Sequence, residues 1–264
     1  MSKFAVLLGV GFLVIALLMG CGDDNSILEG LADDDSYEAE LEEVRMALDK
    51  GDYADALETL LTLREKYPGD RTVLQYLSGA YAGLAGLDTF NVLSAIADLD
   101  DVGKSGSIDM IGLVLGDSTG LLTREELDQK LENLANAIDA LNEIQDKNTD
   151  QLAQGGILAV AHASLTLGDI ILQNQQLSSI ILTEEGIGDQ FQEDADLGNE
   201  VSQETLDDLG RDFEMMEEAI GAIESISTAG NDLSESFDQF GTDIDQNNDS
   251  GITVSEIETY INSL

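Results

Sequence analysis

From Tyr37 onward, apolar residues recur every three or four positions, the period of helices that turn one face to a core. Leu41, Val44 and Leu48 outline a first helix and Leu57, Leu60 and Leu61 a second, with a break at Lys50-Gly51-Asp52. The second helix is expected to stop at Tyr67-Pro68-Gly69-Asp70, and a third to run from about Arg71 to Leu84. Thr89 to Leu99 reads as a helix, Asp100 to Ser107 as a polar loop, and Ile108 to Leu115 as a short apolar helix. Thr123-Arg124-Glu125-Glu126 has the spacing of a capping box. Behind it, Leu127, Leu131, Leu134, Ile138, Leu141 and Ile144 form the stripe of a long bundle helix.

Residues 155–172 are apolar on most sides, a pattern shared by membrane spans and buried core helices. His162 and Asp169 would be costly in lipid, and the abundant Gly and Ala suit close packing, so a central buried helix is expected. A last long helix carries Leu206, Leu209, Phe213, Met216, Ile220, Ile223 and Ile226 on one face, with nearly all its acids opposite. Its Met and Phe read as core residues. With a single proline, Pro68, and few alternating β-branched runs, the expected fold class is all-α.

Gly51-Asp52-Tyr53-Ala54-Asp55-Ala56, followed twelve residues later by Pro68, resembles the core of a tetratricopeptide repeat. The resemblance implies that Gly51 permits the interhelical turn, that Tyr53 and Ala56 let two helices pack closely, and that Pro68 closes the repeat. Leu77, Ser78, Ala80 and Tyr81 match the first helix of a following repeat, after which the pattern fades at Phe90. Val44 also departs from it, standing where a glycine or alanine is usual. The match covers one repeat and half of another, about a fifth of the chain. The expected architecture is tetratricopeptide-like hairpins continuing into a helical bundle.

Before Tyr37 the pattern changes. Lys3 is followed by an uncharged run from Phe4 to Leu18, then Gly20 and Cys21, the only cysteine. A short basic start, an apolar stretch and a small residue at the cleavage point are the parts of a secretory signal. Leu18-Met19-Gly20-Cys21 resembles the lipobox of bacterial lipoproteins, which implies acylation of the Cys21 thiol. An uncleaved transmembrane anchor is the rival, but the run is short for a span of about 20 residues and no stop-transfer charges follow. Residues 22–36, small and acidic, read as a flexible tether spanning about 20–25 Å. The expected division is therefore 1–20 signal, 21–36 tether, 37–100 tetratricopeptide-like helices, 101–227 bundle and 228–264 a C-terminal helix-loop-helix motif.

Charge narrows the partners. Without residues 1–20 the chain holds ten basic against 54 acidic residues, a net charge of −44, and after Lys147 the only base is Arg211. Nucleic acid is excluded, because phosphate binding needs clustered Lys and Arg. Anionic headgroups would repel such a surface, so membrane attachment must rest on acyl chains at Cys21, at about 0.8 kcal/mol per buried methylene. With Cys21 modified, no thiol remains for a disulfide.

The sharpest chemistry is Asp245-Gln246-Asn247-Asn248-Asp249-Ser250-Gly251-Ile252-Thr253-Val254-Ser255-Glu256, which resembles the twelve-residue EF-hand loop over its full length. Calcium takes six to eight oxygens. The resemblance implies side-chain donors from Asp245, Asn247 and Asp249, the carbonyl of Gly251, Thr253 directly or through water, and Glu256 in bidentate fashion. Leu233, Phe237, Phe240 and Ile244 make an incoming apolar stripe, and Val254, Ile257, Tyr260, Ile261 and Leu264 an outgoing one. Ser250 stands where the family has glycine at positive φ, a substitution costing on the order of 1 kcal/mol. Gly241 is expected to interrupt the incoming helix. Affinity near 10⁻⁴–10⁻³ M, typical of extracellular modules, follows.

Catalysis finds little support. His162 is the only histidine, in an apolar helix, and there is no thiol nucleophile, Gly-x-Ser-x-Gly turn, phosphate loop or zinc cluster. The expected function is a non-enzymatic, exported, lipid-anchored, Ca2+-binding scaffold with a protein or peptide partner. Its expected address is the outer membrane facing the periplasm or cell surface, the inner membrane being the other. The alternative is a transport-accessory or solute-handling lipoprotein with a ligand pocket near His162.

Overall fold

A computed structural model of the chain describes residues 36–87, 89, 122–177, 179–180, 197–198, 201–226, 238–245 and 251–262. The chain separates into two units, Met1–Glu40 and Leu41–Leu264. Of the first, only residues 36–40 are described, where Ser36 accepts from the Ala39 and Glu40 N–H groups at the start of a helix. Cys21, the signal, most of the tether, and the segments expected between Phe90 and Gly120 lie outside the described residues.

The described residues are predominantly helical, as the periodicity predicts. Helix α1 spans Tyr37–Lys50 and turns Val44 and Leu48 inward. It ends where Gly51 takes φ +78°, with Gly51 N–H bonded to Leu48 O and Asp52 N–H to Ala47 O, a left-handed C-terminal cap. Helix α2, Tyr53–Lys66, buries Ala56, Leu60 and Leu63. The Pro68-Gly69 turn follows, and the Asp70 carboxylate then caps α3 (Arg71–Leu84) by accepting from Thr72 and Val73 N–H.

Helix α4, Arg124–Asn142, opens on the anticipated box: Thr123 Oγ1 accepts from Glu126 N–H, and Glu126 accepts from Thr123 N–H at 2.9 Å. It stops before Ile144, which is buried just past the helix end rather than within the stripe. Helix α5, Thr149–Asn174, opens on a second box between Asn148 and Gln151. Helix α6 spans Gln203–Ile226, residues 238–244 are helical, and α7 spans Val254–Ile261. A two-residue antiparallel bridge, Leu122–Thr123 (β1) with Ser179–Ile180 (β2), pairs Leu122 with Ile180 and Thr123 with Ser179. The periodicity gives no sign of it.

Within Leu41–Leu264, α3 packs on α2 and α4, and α5 packs between α4 and α6. Flanked on two sides, α5 is buried along nearly its whole length, including Ala153, Gly155, Ala159, Ala161 and Ala163. A Cβ on Gly155 would stand 3.3 Å from the tip of Met215 of α6 and 3.4 Å from Leu141 of α4, so the three helices meet closely at this position. Helix α5 is long and apolar enough to cross a membrane, and 94% of its most apolar window is buried inside the protein. Its N-terminal half also reaches α3, through Gln151 Nε2 to Gln75 Oε1 and Gln154 Nε2 to Ser78 Oγ, each 3.2 Å.

Candidate metal site

The C-terminal loop is held at both ends by packed helices. On the incoming side residues 238–244 run as helix through Gly241, which therefore does not interrupt it. Gly241 has room there: a Cβ would lie 3.8 Å from the Phe213 ring, an ordinary contact. Ile244 is fully buried, and Asp245 N–H closes the last turn on Gly241 O. Phe240 stacks between elements, its ring centre 6.0 Å from Phe213 of α6 and 6.2 Å, edge on, from Tyr260 of α7. On the outgoing side Ile257, Tyr260 and Ile261 are buried, and Glu258 accepts from Leu197 and Gly198 N–H.

Between these anchors Ile252 is buried, while Gly251 and Thr253 are exposed. Asp245 and Glu256, the first and last positions of the loop, are each 8% exposed. Thr253 caps α7. Its Oγ1 accepts from Glu256 N–H, and Glu256 Oε2 accepts from Thr253 N–H at 3.0 Å and Thr253 Oγ1–H at 2.7 Å. The side chain expected to close the metal site thus closes a capping box as well, which fixes its rotamer. Asn247 and Asp249 lie outside the described residues, and among the described residues no three His, Cys, Asp or Glu side chains converge on one point. The donors that are described, buried carboxylates and an exposed hydroxyl, are hard oxygens that fit calcium rather than a softer metal.

The tetratricopeptide-like positions lie elsewhere in the fold. Gly51 takes positive φ at the α1–α2 turn, and Pro68 sits exposed in the α2–α3 turn. Ala56 is buried, and Tyr81 packs half-buried against the core. Tyr53 lays its ring on Gly83 of α3, where a Cβ would meet ring atoms at 2.3 Å. Its close packing therefore joins α2 to α3. Helix α1 approaches α2 less closely, and the two border a cleft of about 440 Å³. A smaller cleft of about 30 Å³ lies between α6 and residues 238–245; neither is lined by residues 155–172.

His162, a core residue as expected, has a partner that the periodicity did not reveal. Its Nδ1 lies 2.7 Å from Asp212 Oδ2, joining α5 to α6 with both side chains nearly enclosed. Asp212 is the buried acid of α6, an exception to the outward-facing acids expected along nearly all of that helix. The only signal for it is spacing: it stands three residues after Leu209 and four before Met216. Burial pushes the Asp212 carboxyl above the usual carboxylate range, against the pull of its hydrogen bond and charge interaction with His162. No family model, curated protein or solved structure matches the chain.

Proposed function

We propose that the chain is an exported, lipid-anchored, calcium-binding helical interaction protein of the bacterial envelope. Cys21 would carry the acyl anchor and residues 22–36 the tether. The loop from Asp245 to Glu256 would hold the ion, with Asp245, Asn247, Asp249, Gly251, Thr253 and Glu256 as donors. The observation that carries the calcium reading is the burial of Asp245 and Glu256 at the two ends of one loop framed by packed helices. One divalent ion bound by this loop would balance two carboxylate charges at once, and hard oxygen donors suit calcium. The bound ion would supply that balance and order the loop; it would carry out no chemistry.

The tetratricopeptide-like reading of α1 to α3 draws support from Gly51 at φ +78°, buried Ala56 and the Tyr53–Gly83 contact. A surface of such helices is suited to a protein or peptide partner.

The test is equilibrium dialysis against radioactive calcium in about 0.15 M salt, with magnesium in excess to suppress nonspecific binding to an acidic surface. One saturable site is expected, with affinity reduced at least about tenfold in Asp245→Asn. Binding that stays unsaturated, or that ignores this substitution, would overturn the calcium reading. Incorporation of labelled fatty acid, lost in Cys21→Ser, tests the anchor separately.

A further inference from the structure

The helices that flank the C-terminal loop turn their apolar residues into the protein's own core. Ile244, Ile257, Tyr260 and Ile261 are buried in the same cluster as Leu209, Phe213 and Met216 of α6. Phe240 joins the two sides: its ring centre lies 6.0 Å from that of Phe213 and, edge on, 6.2 Å from that of Tyr260. Gly241 approaches the same Phe213 ring, and Met216, Ile220 and Thr242 border the narrow gap beside it. A second tie lies on α7, where the Glu258 carboxylate accepts from the N–H groups of Leu197, at 2.8 Å, and Gly198, just ahead of α6. A calcium sensor works by opening a helix pair so that an apolar groove meets an outside partner. Here α6 already covers that apolar side at Phe213, so opening it would give up aromatic contacts and core burial.

We propose that α6 is the resident partner of the calcium motif, and that the ion fastens the motif to α6 through the Phe213–Phe240–Tyr260 contact instead of releasing it to an outside partner. This role deepens the calcium reading above and rests on it. Calcium and docking then favour each other, and by linkage a loss of docking lowers calcium affinity although no donor is touched. A trigger has the opposite sign: calcium favours the undocked motif, so loosening the contact tightens binding.

The test reads the calcium affinity of the full chain by equilibrium dialysis in about 0.15 M salt. Phe213→Ala removes the α6 side of the contact from a helix that holds none of the proposed donors, and Phe213→Leu keeps part of its apolar bulk. Each variant is checked for retained helicity by circular dichroism. Phe213→Ala is expected to weaken calcium binding at least about threefold, and Phe213→Leu to weaken it by less. Leu60→Ala, on the buried face of α2, is a comparable loss of core and is expected to leave the affinity within about twofold of the parent's. Anilinonaphthalene sulfonate, a dye that brightens on exposed apolar surface, is expected to show no gain when calcium is added to the parent chain. Affinity that is unchanged or tightened in both Phe213 variants, an equal loss in Leu60→Ala, or a calcium-induced rise in dye fluorescence would overturn this role for the ion. Failure of the calcium reading itself looks different: the parent chain then shows no saturable binding, and both fall together.

Discussion

Gly83 is a residue whose lack of a side chain is used. Alanine in a helix interior is favoured over glycine by about 1 kcal/mol, yet here its Cβ would fall 2.3 Å from the Tyr53 ring, near the root of that side chain where it cannot swing aside. Overpacking of that kind costs about 1–3 kcal/mol, so Gly83→Ala is expected to destabilise on balance in urea unfolding. In a Tyr53→Ala background the same change is expected to be neutral or stabilising. A second residue-scale expectation concerns Asp212, whose folded pKa is raised by burial from the ordinary 3.8. The folded state then keeps a proton that the unfolded chain releases, so stability falls as pH rises from that ordinary value through the raised one, and levels beyond it. Asp212→Asn is expected to remove this part of the slope, measured by urea unfolding across about pH 4–7. The Asp212 pairing could not be read from the sequence with assurance, because one acid among 54 is invisible until a partner helix is placed against it.

At the scale of elements, what could be read was what is local. The Thr123–Glu126 box and the Pro68-Gly69 turn involve neighbours in sequence, and both stand where the sequence puts them. The buried character of α5 followed from composition alone. Long-range contacts were not readable: Arg64 pairs with Glu143, and Arg71 donates to the carbonyls of Gln145 and Asp146, so two bases from α2 and α3 hold the α4–α5 turn. Lys130 of α4 likewise donates to Ala85 O at the end of α3, and its partial burial lowers its pKa. Several of the chain's few bases are thus spent on joining helices. The caps give the cleanest expectation. Thr123→Ala removes the acceptor for Glu126 N–H and should lower stability by about 1 kcal/mol. Thr123→Ser should retain most of it; equal loss in both would show that the cap does not set the helix start.

For the whole molecule, the dominant fact is a net charge of −43 on a helical body. Such a surface repels nucleic acid and anionic lipid and favours cations. At the C-terminal loop, by contrast with the exposed acids elsewhere, Asp245 and Glu256 are buried beside packed helices. The most direct measurement is thermal unfolding of the chain with and without about 10 mM calcium, magnesium serving as control. With affinity near 10⁻⁴–10⁻³ M, linkage gives about 1.4–2.7 kcal/mol, a rise in Tm of about 3–10 °C. Glu256→Gln is the decisive variant, because glutamine can still accept from Thr253 N–H in the capping box but withdraws the charge and the bidentate donor. The expected result is a calcium-specific rise that disappears in Glu256→Gln; no rise, or an equal rise in the variant or with magnesium, would contradict the calcium site.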